Sequence, residues 1–328
     1  MRVTRRTLLL GAGAFTGGAN AAEPAMKWGD MSRLGRPFSK DPSVVRFNGR
    51  YLLYYSMPPY LDRRPGNGWA IGVAASSNLV DWSKIGEILP QSDYEARGLC
   101  AGNAIVLNGA VHLFYNTYGN AAKDAICHAV SRDGVQFSRN PSNPVFRPTG
   151  PWTCGRAIDA EIVPYRGKMF LYAATRDPGY KVQMLTGAAA DIESGFGRDS
   201  WSQLGDAPLL KPELPWERNC IEAPAVLRRA TKLFMFYAGG YNNEPQQIGC
   251  AVSEDGVRWR RISTEPFLPN GKPGEWNSSE SGHPAVFEDD DGQVYLFFQG
   301  NNDRGKTWLL SFVKIDFKNG HPILASGR

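Results

Sequence analysis

The chain has little of what several common chemistries need. Four histidines are scattered through 328 residues, and no HExxH, GxSxG or P-loop pattern occurs. That removes zinc proteases, nucleophile-elbow hydrolases and phosphate-loop enzymes from consideration. The glycines of LLLGAGAFTGG, residues 8–18, follow no strand pattern, so a dinucleotide site is excluded as well. The five cysteines (Cys100, Cys127, Cys154, Cys220 and Cys250) are odd in number and include no CxxC. They outline neither a metal ribbon nor a disulfide framework, although one or two disulfides remain compatible with the spacing. Net charge is small too. The formal net charge is +5, and leaving out Arg2, Arg5 and Arg6 brings it to +2, too little to argue for nucleic acid or an anionic membrane as partner. No linker, charge block or low-complexity stretch divides the chain.

The first 25 residues read as an export signal. Basic residues Arg2, Arg5 and Arg6 precede an apolar stretch from Leu8 to Phe15, and Ala19-Asn20-Ala21 has the small residues of a cleavage site. The arginine pair in TRRTLL resembles a twin-arginine signal, whose cargo folds before export; free thiols fit that route. The stretch is too short for a membrane span, and no other segment approaches the ~20 apolar residues a span needs. The expectation is a periplasmic or secreted protein with no membrane attachment once the signal is removed.

What is present in quantity is β-branched and aromatic residues, glycine and proline, arranged in a repeat. KDPSVVRFNGRYLLYYS begins at Lys40, AGNAIVLNGAVHLFYNT at Ala101, IDAEIVPYRGKMFLYAAT at Ile158, IEAPAVLRRATKLFMFYAG at Ile221 and GHPAVFEDDDGQVYLFFQG at Gly282. Each is a polar residue, a small residue or proline, an apolar run, a turn and an aromatic-rich strand. The turns Asn48-Gly49, Asn108-Gly109, Arg166-Gly167, Arg229-Ala230 and Asp291-Gly292 read as hairpin tips. A second half also recurs, as GVAASSNLVDWSKI, CHAVSRDGVQFSR and GCAVSEDGVRWRRI, with looser third and fifth copies. Copies at roughly 60-residue intervals suit a four-stranded unit. Five of them make an all-β chain, a five-bladed β-propeller of four-stranded antiparallel blades around a central channel, as one domain over residues 26–328. The segment before Asp41 completes the last blade or seals the ring.

The first strand of a propeller blade lines the channel, so one repeat position delivers five side chains to a shared funnel. Here that position reads Asp41, Asn103, Asp159, Glu222 and His283. Three carboxylates in one funnel suit glycoside hydrolysis, which needs an acid and a base flanking the bond. A third carboxylate raises the acid's pKa by like-charge repulsion.

The Asp-Pro-Ser-Val opening, the Ile-Asp third copy and the Ile-Glu-Ala-Pro fourth copy resemble glycoside hydrolase family 43 over essentially the whole mature chain. The resemblance implies Asp41 as general base, Asp159 as the residue that tunes pKa and orients substrate, Glu222 as general acid, and an inverting reaction. It implies an oligosaccharide substrate, by family default an α-L-arabinofuranoside or β-xyloside, and no required cofactor. His283 in SGHPAV matches a fifth-blade histidine that in some members lies near a central water or calcium. A structural calcium in the channel, met by His283 through water, is therefore the one metal role it suggests. GRAIDAE and ATRDP also resemble the related family 117, which acts on anhydro-L-galactose at the ends of agar fragments and is thought to use a histidine as acid; no counterpart precedes Glu222 in LPWERNC. A non-catalytic sugar-binding propeller is the reading from another class.

Around these positions, Glu161 lies two residues after Asp159 and faces the same way on a strand, as a candidate for hydroxyl binding. Arg156 and Arg176 flank the third copy and suit hydroxyls or a carboxylate. Trp69, Trp152 and Trp276, with Tyr60 and Tyr118, fall in loops where a ring could stack on a sugar. Trp82, Trp201 and Trp259 occupy the repeat's own aromatic position and read as core. His112, His128 and His321 read as structural, and EDDDG at Glu288 as a solvated hairpin tip. Oligomeric state is not legible in the sequence.

Overall fold

Asn48-Gly49, Asn108-Gly109 and Arg166-Gly167 each place two successive residues at positive φ. This is the twist that lets a two-residue loop join antiparallel strands. These tips and their two counterparts organise the computed structural model, which describes residues 26–62, 64 and 67–325. The export-signal reading of residues 1–25 lies outside them. Blade I holds β1 (Lys40–Phe47), β2 (Arg50–Met57), β3 (Ala70–Ser76) and β4 (Ser83–Ile88). Blade II holds β5 (Leu99–Leu107), β6 (Ala110–Thr117), β7 (Ile126–Ser131) and β8 (Ser138–Arg139). Blade III holds β9 (Ile158–Tyr165), β10 (Lys168–Arg176), β11 (Gln183–Asp191) and β12 (Ser202–Gln203). Blade IV holds β13 (Ile221–Arg229), β14 (Lys232–Gly239), β15 (Gln247–Ser253) and β16 (Arg260–Arg261). Blade V holds β17 (Glu280–Glu288), β18 (Val294–Asn301), β19 (Leu309–Lys318) and β20 (His321–Leu324). Each blade is a four-stranded antiparallel sheet in chain order. The fourth hairpin turns at Ala230-Thr231, one residue later than the sequence reading, with the left-handed residue at Ala230.

The apolar faces that alternate along these strands meet between blades, not within one. Val45 and Tyr54 pack with Val111 and Phe137 across the first seam, and Ala225 and Phe236 with Leu296 and Phe298 across the fourth. Similar clusters fill the other three seams, so the core is a closed ring of five wedges. Trp82 is buried in one of them, and Trp201 and Trp259 pack against two others, as the repeat implied. The ring shuts without a covalent link. Trp28 exchanges backbone hydrogen bonds with Leu310 on β19, at 3.0 and 2.7 Å, and Phe38 bridges Trp308. The segment before Asp41 therefore adds to the last blade. All five cysteines are free. His112 and His128 stack on each other between Phe114 and Phe196, a packing role.

Two buried glutamates tie connecting segments to the blades that follow. Glu95 accepts from Tyr115 and from Arg139 at 2.8 Å. Glu217 accepts from Tyr237 at 2.7 Å and from two nitrogens of Arg261 at 2.7 Å. Glu217 has no exposed surface, so removing it strands a guanidinium and a phenol in the interior. Glu217→Ala should lower the stability of the chain by roughly 3–5 kcal/mol, read by urea unfolding; a loss under 1 kcal/mol would show that the triad is not a structural clamp.

Candidate active site

Each innermost strand carries a bulge at the same step. Its pairing with the second strand slips between Lys40 and Ser43, Cys100 and Asn103, Ile158 and Glu161, Glu222 and Ala225, and Gly282 and Ala285. At each slip one residue lies in the left-handed region: Asp41, Ala101, Asp159, Ala223 and His283, with φ between 44° and 55°. This corrects the register read from the sequence. Asp41, Asp159 and His283 are equivalent, but Glu222 sits one residue before the repeat position and Asn103 two residues after it. Polar identity aligned them in the sequence; the bulge decides the true step. The correction does not scatter the group, because a left-handed residue turns neighbouring side chains toward the same funnel.

At the centre, His283 stands between two carboxylates. Its Nδ1 is 2.9 Å from Asp41 Oδ1 and its Nε2 3.2 Å from Glu222 Oε1. Two such contacts and the width of one imidazole keep those oxygens within roughly 8 Å of each other, a ceiling that admits the ~6.5–9.5 Å of inverting sites as well as the ~5–5.5 Å of retaining ones. Burial would lift Asp41, but the charges of His283 and Lys40 outweigh it and hold the carboxyl well below its usual range. Burial opposes the charge on His283, and Asp41 with Glu222 overcomes it, so the imidazolium persists well above its ordinary pKa. Glu222 is lowered as well, by His283 and the Gln246 amide acting against burial. Asp159 goes the other way. Burial, and then the like charges of Glu222 and Asp41, outweigh the pull of His283 and push it to about 7. Its Oδ2 has no partner among the described residues.

A second ring supplies the walls. Trp69, Asp124, Gln183, Gln246 and Trp308 occupy one position, three residues before the Gly72, Cys127, Thr186, Gly249 or Ser311 that pairs with the second strand. Each of these five makes a backbone hydrogen bond to the next blade. Gln246 Nε2 donates to Glu222 Oε1 at 2.8 Å and to the Gly240 carbonyl, while Gln183 Nε2 donates to Glu222 Oε2. Gln183 Oε1 accepts from Arg176 at 2.7 Å and from Arg156 at 3.3 Å. Lys40 lies over Trp308, 4.6 Å from a ring centre. Trp69 meets Tyr118 edge-on at 5.7 Å. Sequence reasoning missed Lys40, Gln183, Gln246 and Trp308. Their shared place three residues ahead of the third strand's pairing residue was the available signal for all but Lys40, yet a position that alternates among tryptophan, aspartate and glutamine hid it.

The remaining candidates divide. Asn103 and Glu161 line a small open cleft with Asp41, Asp159 and His283, two residues further along their strands. Asn103 donates to Glu161 Oε2 at 2.5 Å, and Glu161 Oε1 accepts from Val226 N at 2.8 Å. They therefore tie three blades together, and burial raises Glu161 to about 8. Trp152 packs by Gly150 in the loop before β9. Trp276 belongs to the core of blade V, 5.6 Å from Phe298, not to a sugar platform. Tyr60 is covered by Arg33 and Arg64. The acidic tip pairs Asp289 with Arg46 and Tyr51. Asp159, Glu222 and His283 offer ligand atoms within 4.8 Å of one another. Calcium takes roughly six to eight oxygens, whereas here one donor is an imidazole whose nitrogens already face carboxylates. The trio does not suit that ion, and no step below uses a metal.

Asp159 links the site to stability. Its folded pKa lies above its unfolded one, so its favourable contribution is whole below about 4 and is lost as pH rises through about 7. Asp159→Asn should therefore stabilise the chain by a few kcal/mol more at pH 8 than at pH 4. Equal effects at both pH values, in chemical unfolding, would mean that folding does not raise the pKa of this carboxyl.

Comparison with known proteins agrees with this architecture. Residues 34–319 match the profile of Glycosyl hydrolases family 43. A rice (Oryza sativa subsp. indica) protein described as beta-fructofuranosidase, insoluble isoenzyme 7, is 28% identical over 131 residues, 39% of this chain and 21% of its own length. A beta-xylosidase of Xylanibacter ruminicola is 29% identical over 105 residues, 31% of this chain and 28% of its own. The chain thus spans about a quarter of the curated relatives it matches. The crystal structure of a thermostable family-43 glycoside hydrolase superposes with a TM-score of 0.69 at 21% identity, covering 88% of this chain and 93% of that one. A sequence match across most of the chain, on a five-bladed ring with carboxylates at its centre, makes this protein a member of glycosyl hydrolases family 43.

Proposed function

We propose that the protein is an inverting glycoside hydrolase that releases a terminal sugar from plant or algal polysaccharide fragments after export. The observation that carries this reading is the placement of Asp41 and Glu222 on opposite nitrogens of one imidazole. Asp41, ionised, takes a proton from the attacking water. Glu222 protonates the leaving oxygen. At rest Glu222 faces N–H donors from Gln183, Gln246 and His283, so its proton comes from the imidazolium across the Nε2 contact. After cleavage Asp41 holds the proton from water, Nδ1 of His283 keeps its own and Nε2 lacks one, so exchange with solvent water removes the proton from Asp41 and returns one to Nε2. Resting and product states then differ only in where one proton sits. Asp159, neutral below about 7, donates to a sugar hydroxyl through its free oxygen.

The test is a panel of aryl glycosides and oligosaccharides, with arabinofuranosides, xylosides and neoagaro-oligosaccharides, the last because of the family 117 resemblance. Wild type should release one sugar with inverted configuration, and Glu222→Gln should lose about 10²–10⁴-fold in kcat on unactivated substrates. Activated aryl leaving groups, which need no acid, should be affected far less. Binding without cleavage by both proteins would make this a sugar-binding propeller. The pH profile is a second check. kcat/KM should fall as pH rises through about 7, where Asp159 ionises beside Glu222 and Asp41, and Asp159→Asn should remove that limb; a limb unchanged in the variant would detach Asp159 from the reaction.

A further inference from the structure

The wall beside Glu222 holds more positive charge than its surroundings require. Two guanidinium groups, Arg156 and Arg176, converge on one neutral acceptor, Gln183 Oε1. Among the described residues Arg176 pairs with no carboxylate, and Arg156 has a long contact of 3.5 Å to Asp124 and feels the charge of Asp159, which is neutral below about 7. The central acids are matched elsewhere: His283 lies between Asp41 and Glu222, and Lys40 faces Asp41 and Glu280. Like charges brought together out of bulk water repel, and an amide oxygen compensates them only in part.

The unused donors point to open space. Both Nη atoms of Arg176 and Nη2 of Arg156 make no protein hydrogen bond among the described residues, yet none is sealed from solvent. Tyr180 and Tyr241 flank Arg176, their ring centres 4.5 and 5.3 Å from its guanidinium carbon. Such stacking fixes the plane of the fork without using its N–H groups. Tyr180 and Tyr118 remain 37% exposed, so the wall is reachable from outside. A planar, stacked, double-arginine fork with free donors is the geometry that holds a carboxylate.

We propose that Arg156 and Arg176 bind a carboxylate of the substrate, so that the sugar accepted next to Glu222 is a uronic acid. This rests on the hydrolase reading above and narrows its substrate class. The carboxylate would complete the charge of the wall, and Gln183 would couple its arrival to the orientation of Glu222.

The test uses sets of nitrophenyl glycosides that share ring stereochemistry: β-D-glucuronide with β-D-glucoside and β-D-xyloside, and α-D-galacturonide with α-D-galactoside. Calorimetry with D-glucuronate, D-galacturonate, their neutral parents and a glucose sulfate runs in parallel. One acidic sugar should exceed its neutral partners by at least about tenfold in kcat/KM or affinity, and Arg176→Met should cut that ratio about ten- to hundredfold. Arg176→Lys should keep part of the preference, and added salt should weaken it. Arg156→Met should act in the same sense; if that variant does not fold, Arg176→Met carries the test. Because the readout is a ratio, a general loss of activity does not imitate the result. If neutral glycosides are cleaved and the ratio does not move in Arg176→Met, the anion site is wrong and the hydrolase reading stands. A sulfate bound in preference to carboxylates overturns the carboxylate assignment. Arginine-dependent uronate binding with no glycoside cleaved upholds the anion site and sinks the hydrolase reading. No binding and no cleavage sinks both.

Discussion

A left-handed residue inside the innermost strand of every blade is the constraint on which the site depends. Such a conformation costs of order 1–3 kcal/mol for a residue with a side chain, and it persists here because both flanks are held. Asp41 N donates to Gln299 of the preceding blade, Ala101 N to Ser56 and Asp159 N to Asn116, at 2.8–3.0 Å. Two steps further along, Ser43, Asn103 and Glu161 each accept from a backbone N–H of the next blade. The strained step is thus gripped by the same seams that close the ring. What aims Asp41, Asp159 and His283 inward is the assembled propeller, not any single hairpin.

Much of this was legible in the chain. Asn-Gly turns, aromatic strands and a recurring Ser-containing turn gave five blades, because local twist and apolar alternation are written residue by residue. Asp41, Asp159, Glu222 and His283 were identifiable because few other polar residues precede an inner strand. The exact step was not. Glu222 and Asn103 resemble their supposed equivalents in polarity, and a bulge leaves no mark in composition. The seam ring was harder still, since Trp69, Asp124, Gln183, Gln246 and Trp308 share a backbone hydrogen bond to the next blade but no single side-chain type.

Electrostatically the centre is a set of buried acids kept in different states by their neighbours. Asp41 and Glu222 share a cation and stay ionised; Asp159, without a donor on its outer oxygen, keeps its proton to about neutrality. Glu161 and Glu280, raised to about 8 and about 7 by burial, add two more carboxyls that neutralise instead of pairing. Membership of family 43 supplies the frame, and within it Gln183 and Gln246 hold Glu222 while Arg156 and Arg176 stand behind Gln183.

The bond between Trp28 and Leu310 has a consequence for the order of synthesis. Asp41 leaves the ribosome with the first blade, and His283 only with the fifth. Until β19 arrives there is no edge for Trp28 to join, and until β17 arrives there is no cation between the two carboxylates. The reactive centre therefore has no partial form on a growing chain. It comes into being in a single event, when the two ends of the polypeptide meet.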